Sequence, residues 1–326
     1  MNKVEIAHPD FTPFGLVKGP HTQTILSSFC PKFLNPRPQK SHHIMLEDGD
    51  TLVVKENRSE AWRAGDRIVL LVHGLCGCEL SSYMIRMTRR LVGDGFLVMR
   101  LNLRGCGPGD GLARKTYHSG RSDDTRAVVR YIGEHFPGSP VTQIGVSLGA
   151  NITLKMAGEM DSMAPCDSVG AISPPVDLSL CADRIAQAKG KVYDRYFVKK
   201  LMEHVRRIEG HFPDMTVTEF PKKMTLRLFD ELYTAPHNGF KNAEDYYQQS
   251  SCGQFIPEIK AKGFILLSKD DPIVDYRPLM DIRTPAQLDI RLTDRGGHGA
   301  FLGPALNSRM FWMDSFVTQW IRSNLI

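Results

Sequence analysis

No apolar run in the 326-residue sequence approaches the roughly 20 residues needed to span a bilayer. The opening MNKVEIAHPDFTPFG also lacks the apolar stretch of a secretory leader. Cysteine is sparse: seven residues, at 30, 76, 78, 106, 166, 181 and 252, an odd number without the density of a disulfide framework. Together these features predict a soluble protein in the cytoplasm. Charge of one sign is scarce as well, because 41 Lys+Arg against 36 Asp+Glu leave only +5 over the whole length, too little to argue for a nucleic-acid partner. Internal repeats and low-complexity segments are absent, which removes solenoids and disordered tails from consideration. Nothing calls for a cofactor or a protein partner.

What is present is an ordinary globular composition, 42% hydrophobic and 24% charged, long enough to bury a substantial core. HHIMLEDGDTLVVKEN (42–57) predicts a hairpin around Asp48-Gly49-Asp50. Apolar strands then alternate with helical patterns: strand 67–74, helix 82–95, strand 96–105, helix 122–136, strand 141–146, helix 148–160, strand 168–175. Strands that are apolar throughout and separated by helices mean a mostly parallel sheet with helices on both faces, an α/β fold.

The alternation stops from Asp177 to about Phe220, where the text is helical. Within VYDRYFVKKLMEHVRRI (192–208), Tyr193, Phe197, Leu201, Val205 and Ile208 form one apolar stripe. Two readings follow: a helix packed on the core with a solvated basic face, or a lid over a site at the carboxyl ends of the strands. Strands resume in GFILLSKDD (263–271) and QLDIRLTDRGGHGAF (287–301), and a helix over 311–325 follows. The expected organisation is one domain over 1–326 with a helical lid, 177–220, inserted within it.

The chemistry centres on VTQIGVSLGANITLK (141–155). Gly145-Val146-Ser147-Leu148-Gly149 is a Gly-x-Ser-x-Gly motif at a strand-to-helix junction, the context in which it presents a nucleophile on a strained turn. A serine hydroxyl needs a base, usually an imidazole oriented by a carboxylate, and in such a fold the chain order is Ser, acid, His. Of eleven histidines only His298, in DRGGHGAF, follows the strand-end carboxylates. Asp271 is the preferred acid, because Pro272 biases it toward an extended conformation; Asp270 is the alternative and Asp294 a distant third. For the oxyanion, the N–H of Leu75 in HGLCG (73–77) is expected to pair with that of Leu148. His73 reads as a structural histidine. Cys76, Cys78 and Cys106 lack a matching second pair for zinc, so no metal is expected.

Beside these motifs, HTQT (21–24), NLRGCG (102–107), YHSG (117–120), FDELYTAPHNGFKNAEDYYQQSS (229–251), KDDP (269–272) and GGH (296–298) stand where similar segments occur in a known family. Over almost its whole length the chain resembles the YheT-like hydrolases of the α/β-hydrolase superfamily. The resemblance implies a carboxylic-ester hydrolase with Ser147 as nucleophile, Asp271 as acid and His298 as base. Ala150 and Gly299-Ala300 depart from the family pattern and bear on substrate fit. An acyltransferase would use the same residues with an alcohol or thiol acceptor. A non-catalytic binding protein on this scaffold would usually lack one of the three. A small-molecule ester is the expected substrate in either catalytic case.

Overall fold

The computed structural model describes residues 10–29, 34–159, 166–187, 191–305 and 310–325. The first nine residues, Cys30 and residues 188–190 of the 177–220 stretch lie outside the described residues.

After helix α1 (Pro20–Ser27) come strands β1 (Lys40–Met45) and β2 (Thr51–Arg58), an antiparallel hairpin whose turn holds Gly49 at φ +87°. Strand and helix then alternate through β3 (Ile68–Val72), α2 (Ser82–Gly93), β4 (Leu97–Asn102), α3 (Ser122–His135), β5 (Val141–Val146), α4 (Leu148–Glu159) and β6 (Cys166–Ile172). No described residue between β6 and β7 (Lys262–Ser268) forms a strand. That interval holds α5 (Leu178–Ala186), α6 (Lys191–His211), α7 (Leu226–Phe229), a π-helical turn (Asp230–Thr234), α8 (Ala235–His237) and α9 (Ala243–Ser250), so helix continues well beyond residue 220. The chain then runs through α10 (Arg277–Met280), β8 (Leu288–Thr293) and α11 (Trp312–Leu325).

The eight strands lie in the order β1-β2-β4-β3-β5-β6-β7-β8, antiparallel at β1/β2 and β2/β4 and parallel elsewhere. Successive strand residues face opposite sides, and each side has its own core. Ile68, Leu70 and Val72 of β3 pack with Val128 and Ile132 of α3 and Ile152 of α4. Val69 and Leu71 pack with Met84 of α2 and with Trp312, Phe316 and Trp320 of α11. Burial on both faces explains why β3, IVLLV, reads as an unbroken apolar run.

From β3 the chain crosses to β4 on one side and then returns to β5 on the other. Helices leaving in opposite directions open a crevice at the carboxyl ends of β3 and β5, where open α/β sheets place their ligands. His73 to Gly77 and Ser147 begin there.

Candidate active site

Ser147 follows the last residue of β5 and precedes the first of α4, at φ +55°. A left-handed, non-glycine residue at a strand end is strained and held by its surroundings. Its N–H donates to Ile172 O (2.8 Å), and its carbonyl accepts the N–H groups of Ala150 (2.8 Å) and Asn151 (3.0 Å). The flanking glycines are required by space: a Cβ on Gly145 would sit 2.1 Å from Gly149 O, and one on Gly149 would sit 2.4 Å from Val72 O. Strand, turn and helix therefore meet with backbone against backbone.

His298 lies in the loop after β8. Its Nε2 is 2.8 Å from Ser147 Oγ and its Nδ1 is 2.8 Å from Asp271 Oδ2. Asp271 is fully buried, and its Oδ1 accepts the backbone N–H groups of Ile273 (2.8 Å) and Val274 (2.9 Å). The carboxylate oxygen facing the imidazole only accepts, so Nδ1 carries the hydrogen and Nε2 is free to take one from Ser147. Asp270 meets the backbone of the same loop instead of the imidazole: its Oδ1 accepts the N–H of Gly297 (3.0 Å). Asp294 is exposed and paired with Lys269 Nζ (2.6 Å). Of the three aspartates weighed from sequence, only Asp271 touches the imidazole.

The loop after β3 forms the opposite wall. Gly74 packs so closely that a Cβ there would lie 3.1 Å from Ser147 Cβ. Tyr83 Oη accepts the Gly74 N–H (2.8 Å) and Tyr117 Oη accepts the Cys76 N–H (2.9 Å), leaving the Leu75 N–H between two anchored neighbours. Neither Leu75 N–H nor Leu148 N–H has a backbone or side-chain acceptor among the described residues; Leu148 opens α4, whose first N–H groups have no intrahelical partner. Sequence reasoning missed Tyr83 and Tyr117. Tyr117 lies in the YHSG segment, which was the available signal.

His73 is fully buried, with Nδ1 2.8 Å from Gly74 O and Nε2 accepting the Leu103 N–H (3.1 Å); burial pushes its pKa down to about 4, so it is a neutral structural imidazole. Among the described residues no three His, Cys, Asp or Glu side chains form a metal-holding group, and no helix is long and apolar enough to cross a membrane.

Ser147 opens into a pocket. It is lined by Leu75 and Leu148, by Leu178 and Ile185 of α5, and by Phe197 and Leu201 of α6. One wall is polar. There the buried Asp230 accepts from Thr234 Oγ1 (2.6 Å) and Tyr247 Oη (2.7 Å), and burial raises its pKa to about 6. Arg104 of the NLRGCG segment instead serves the fold, as a buried guanidinium held by Asp48, Asp50 and Asp124.

Residues 67–303 match the family described as alpha/beta hydrolase fold. The chain is similar to the Escherichia coli K12 protein designated esterase YheT, 27% identical over 322 residues, 97% of this chain and 94% of that one. It is also similar to the medium-chain fatty acid ethyl ester synthase/esterase 2 of Saccharomyces cerevisiae, at 26% identity over 79% of this chain and 63% of that protein. In fold it resembles the esterase Pf2001 of Pyrococcus furiosus, with a TM-score of 0.55 at 17% identity over 90% of this chain and 93% of that one. With the sheet order, the strand-to-helix elbow and the family match in agreement, the chain belongs to the α/β-hydrolase fold family.

Proposed function

We propose that the protein hydrolyses carboxylic esters through a Ser147–His298–Asp271 triad and an acyl-enzyme intermediate. The observation that carries this is the pair of 2.8 Å contacts linking Ser147 to His298 and His298 to Asp271 at the floor of a largely apolar pocket. Ser147 Oγ attacks the ester carbonyl carbon while Nε2 of His298 takes its proton; Asp271 stabilises the imidazolium as it forms. The N–H groups of Leu75 and Leu148 receive the oxyanion, the placement that makes such donors effective. Collapse of the tetrahedral intermediate expels the alcohol, which takes the proton from His298. Water, deprotonated by the same Nε2, then attacks the acyl-enzyme and releases the acid. The helices between β6 and β7 act in this reading as a lid, because α5 and α6 supply the apolar walls that an acyl chain would contact. The six free cysteines among the described residues fit a reducing, cytoplasmic setting.

A fluorophosphonate tests the reading: it should add one phosphonyl group to the Ser147 peptide of the wild-type protein and none to Ser147→Ala. Labelling of another serine with Ser147 untouched would overturn it. The name of the yeast relative favours a second reading, acyl transfer from the same intermediate to an alcohol or thiol. Free acid as the main product when dilute ethanol accompanies the ester supports hydrolysis, and near-exclusive ethyl ester supports transfer.

A further inference from the structure

The His-Thr-Gln-Thr segment of α1 takes no part in the proposed bond making, yet it lies against the loop that carries the base. Thr24 Oγ1 donates its hydrogen to Pro20 O (2.8 Å), which turns a lone pair toward the loop, and it accepts the backbone N–H of His298 itself (2.9 Å). Gln23 has no exposed surface; its Nε2 donates to Val17 O (2.7 Å) and Leu302 O (2.9 Å), and its Oε1 accepts the Leu302 N–H (2.7 Å). The approach leaves no room for a side chain at Gly297, where a Cβ would lie 2.7 Å from Pro20 O and 2.8 Å from Thr24 Oγ1. His21, from the same segment, has Nδ1 2.9 Å from Tyr193 Oη of α6, with the two rings stacked.

The base loop needs such support. Gly297 and Gly299 hold φ of +60° and +58°, and glycine gives the chain on either side of His298 wide conformational freedom. Asp271 restrains the imidazole, but only if the backbone delivers it to within hydrogen-bond reach of both partners. On the β7 side, Ser268 Oγ donates to Gly297 O (2.8 Å) and Asp270 accepts the Gly297 N–H. On the other side the anchors to His298 and Leu302 come from α1.

We propose that Thr24 and Gln23 are positioning residues for His298, holding its backbone so that Nε2 meets Ser147 while Nδ1 meets Asp271. The inference rests on the triad reading. Misplacing a reacting group by about 1 Å is enough to cost on the order of 100-fold in rate, which sets the scale of the expected effect.

Three variants test it: Thr24→Val keeps the shape and removes the hydroxyl, Thr24→Ser keeps the hydroxyl, and Thr24→Ala removes the hydroxyl without a replacement methyl. Each is checked by circular dichroism at the assay temperature, and Thr24→Ala is read if Thr24→Val does not fold. With the hydroxyl gone, kcat on p-nitrophenyl butyrate and the rate of fluorophosphonate labelling at Ser147 should both fall about 10- to 100-fold, with KM changed less than about twofold. Thr24→Ser should recover both rates to within about threefold of wild type. A purely structural role would lower the melting temperature and leave the rates of folded molecules unchanged. Wild-type rates in a folded variant lacking the hydroxyl, or an equal loss in Thr24→Ser, would overturn the inference. A wild-type protein that is not labelled at Ser147 would sink the triad reading and this inference with it, a result distinct from either.

Discussion

Replacing Asp271 by asparagine tests the proposed triad at the point where the structure gives the most specific expectation. In the native site Oδ1 of Asp271 accepts two backbone N–H groups, from Ile273 and Val274, and Oδ2 faces Nδ1 of His298. An asparagine has one oxygen, and the two backbone donors claim it. Its amide nitrogen must then face the imidazole and donate to Nδ1, which places the ring hydrogen on Nε2. An Nε2 that already carries a hydrogen cannot accept the proton of Ser147.

The same change in a serine protease lowers kcat about 10⁴-fold. Here the expected loss for Asp271→Asn is a thousandfold or more, equivalent to about 4 kcal/mol of transition-state stabilisation. Asp270→Asn supplies the contrast. Asp270 makes one contact in the loop, accepting the Gly297 N–H at 3.0 Å, and an asparagine oxygen can take that bond unchanged, so the expected loss is below about tenfold. Both variants are measured by kcat on p-nitrophenyl esters near neutral pH, with thermal melts alongside to separate lost chemistry from lost folding. A reversed ranking in two folded proteins would refute the reasoning and make Asp270 the acid.

Three further outcomes follow from the pocket walls. Asp230 has its folded pKa raised to about 6 from an ordinary 3.8, so the fold favours its protonated form; that stabilisation is present at low pH and is lost as pH rises through 6. Asp230→Asn should therefore gain about 2 kcal/mol relative to wild type between pH 4.5 and 7.5 in urea unfolding, and a pH-independent difference would contradict the burial argument. Phe197→Ala and Leu201→Ala should move the optimum toward longer chains in a panel of p-nitrophenyl esters from acetyl to palmitoyl, because both side chains line the pocket. Unchanged preference would leave α6 as a packing helix only. Leu201→Ala should also destabilise by about 2–5 kcal/mol, since Leu201 is buried.

The parts of this site that were legible in the sequence are those fixed by local sterics. Gly145 and Gly149 could be read as obligatory because strand and helix meet there without room for a Cβ, and β3 and β5 could be read as buried strands because both faces are covered. The choice between adjacent aspartates was different. It was argued from an extended segment, in which neighbouring side chains alternate, yet β7 ends at Ser268 and the Asp271 N–H turns back to Ser268 O (3.3 Å). The turn, with the N–H groups of Ile273 and Val274 gripping Oδ1, aims Asp271 at the imidazole. Periodicity also has a minimum length. The stripe showed within the 21-residue α6, whereas α7 and α8 have four and three residues around a π-helical turn, too short to display a repeat, and so Asp230 went unread as a pocket wall. Thr24 is less legible still, standing 274 positions from His298 and reporting nothing of its partner until α1 is packed against the loop. Side chains that react are confined by the backbone beside them and leave a local pattern. Side chains that hold them in place are confined by tertiary packing, which leaves a pattern only in the company of relatives.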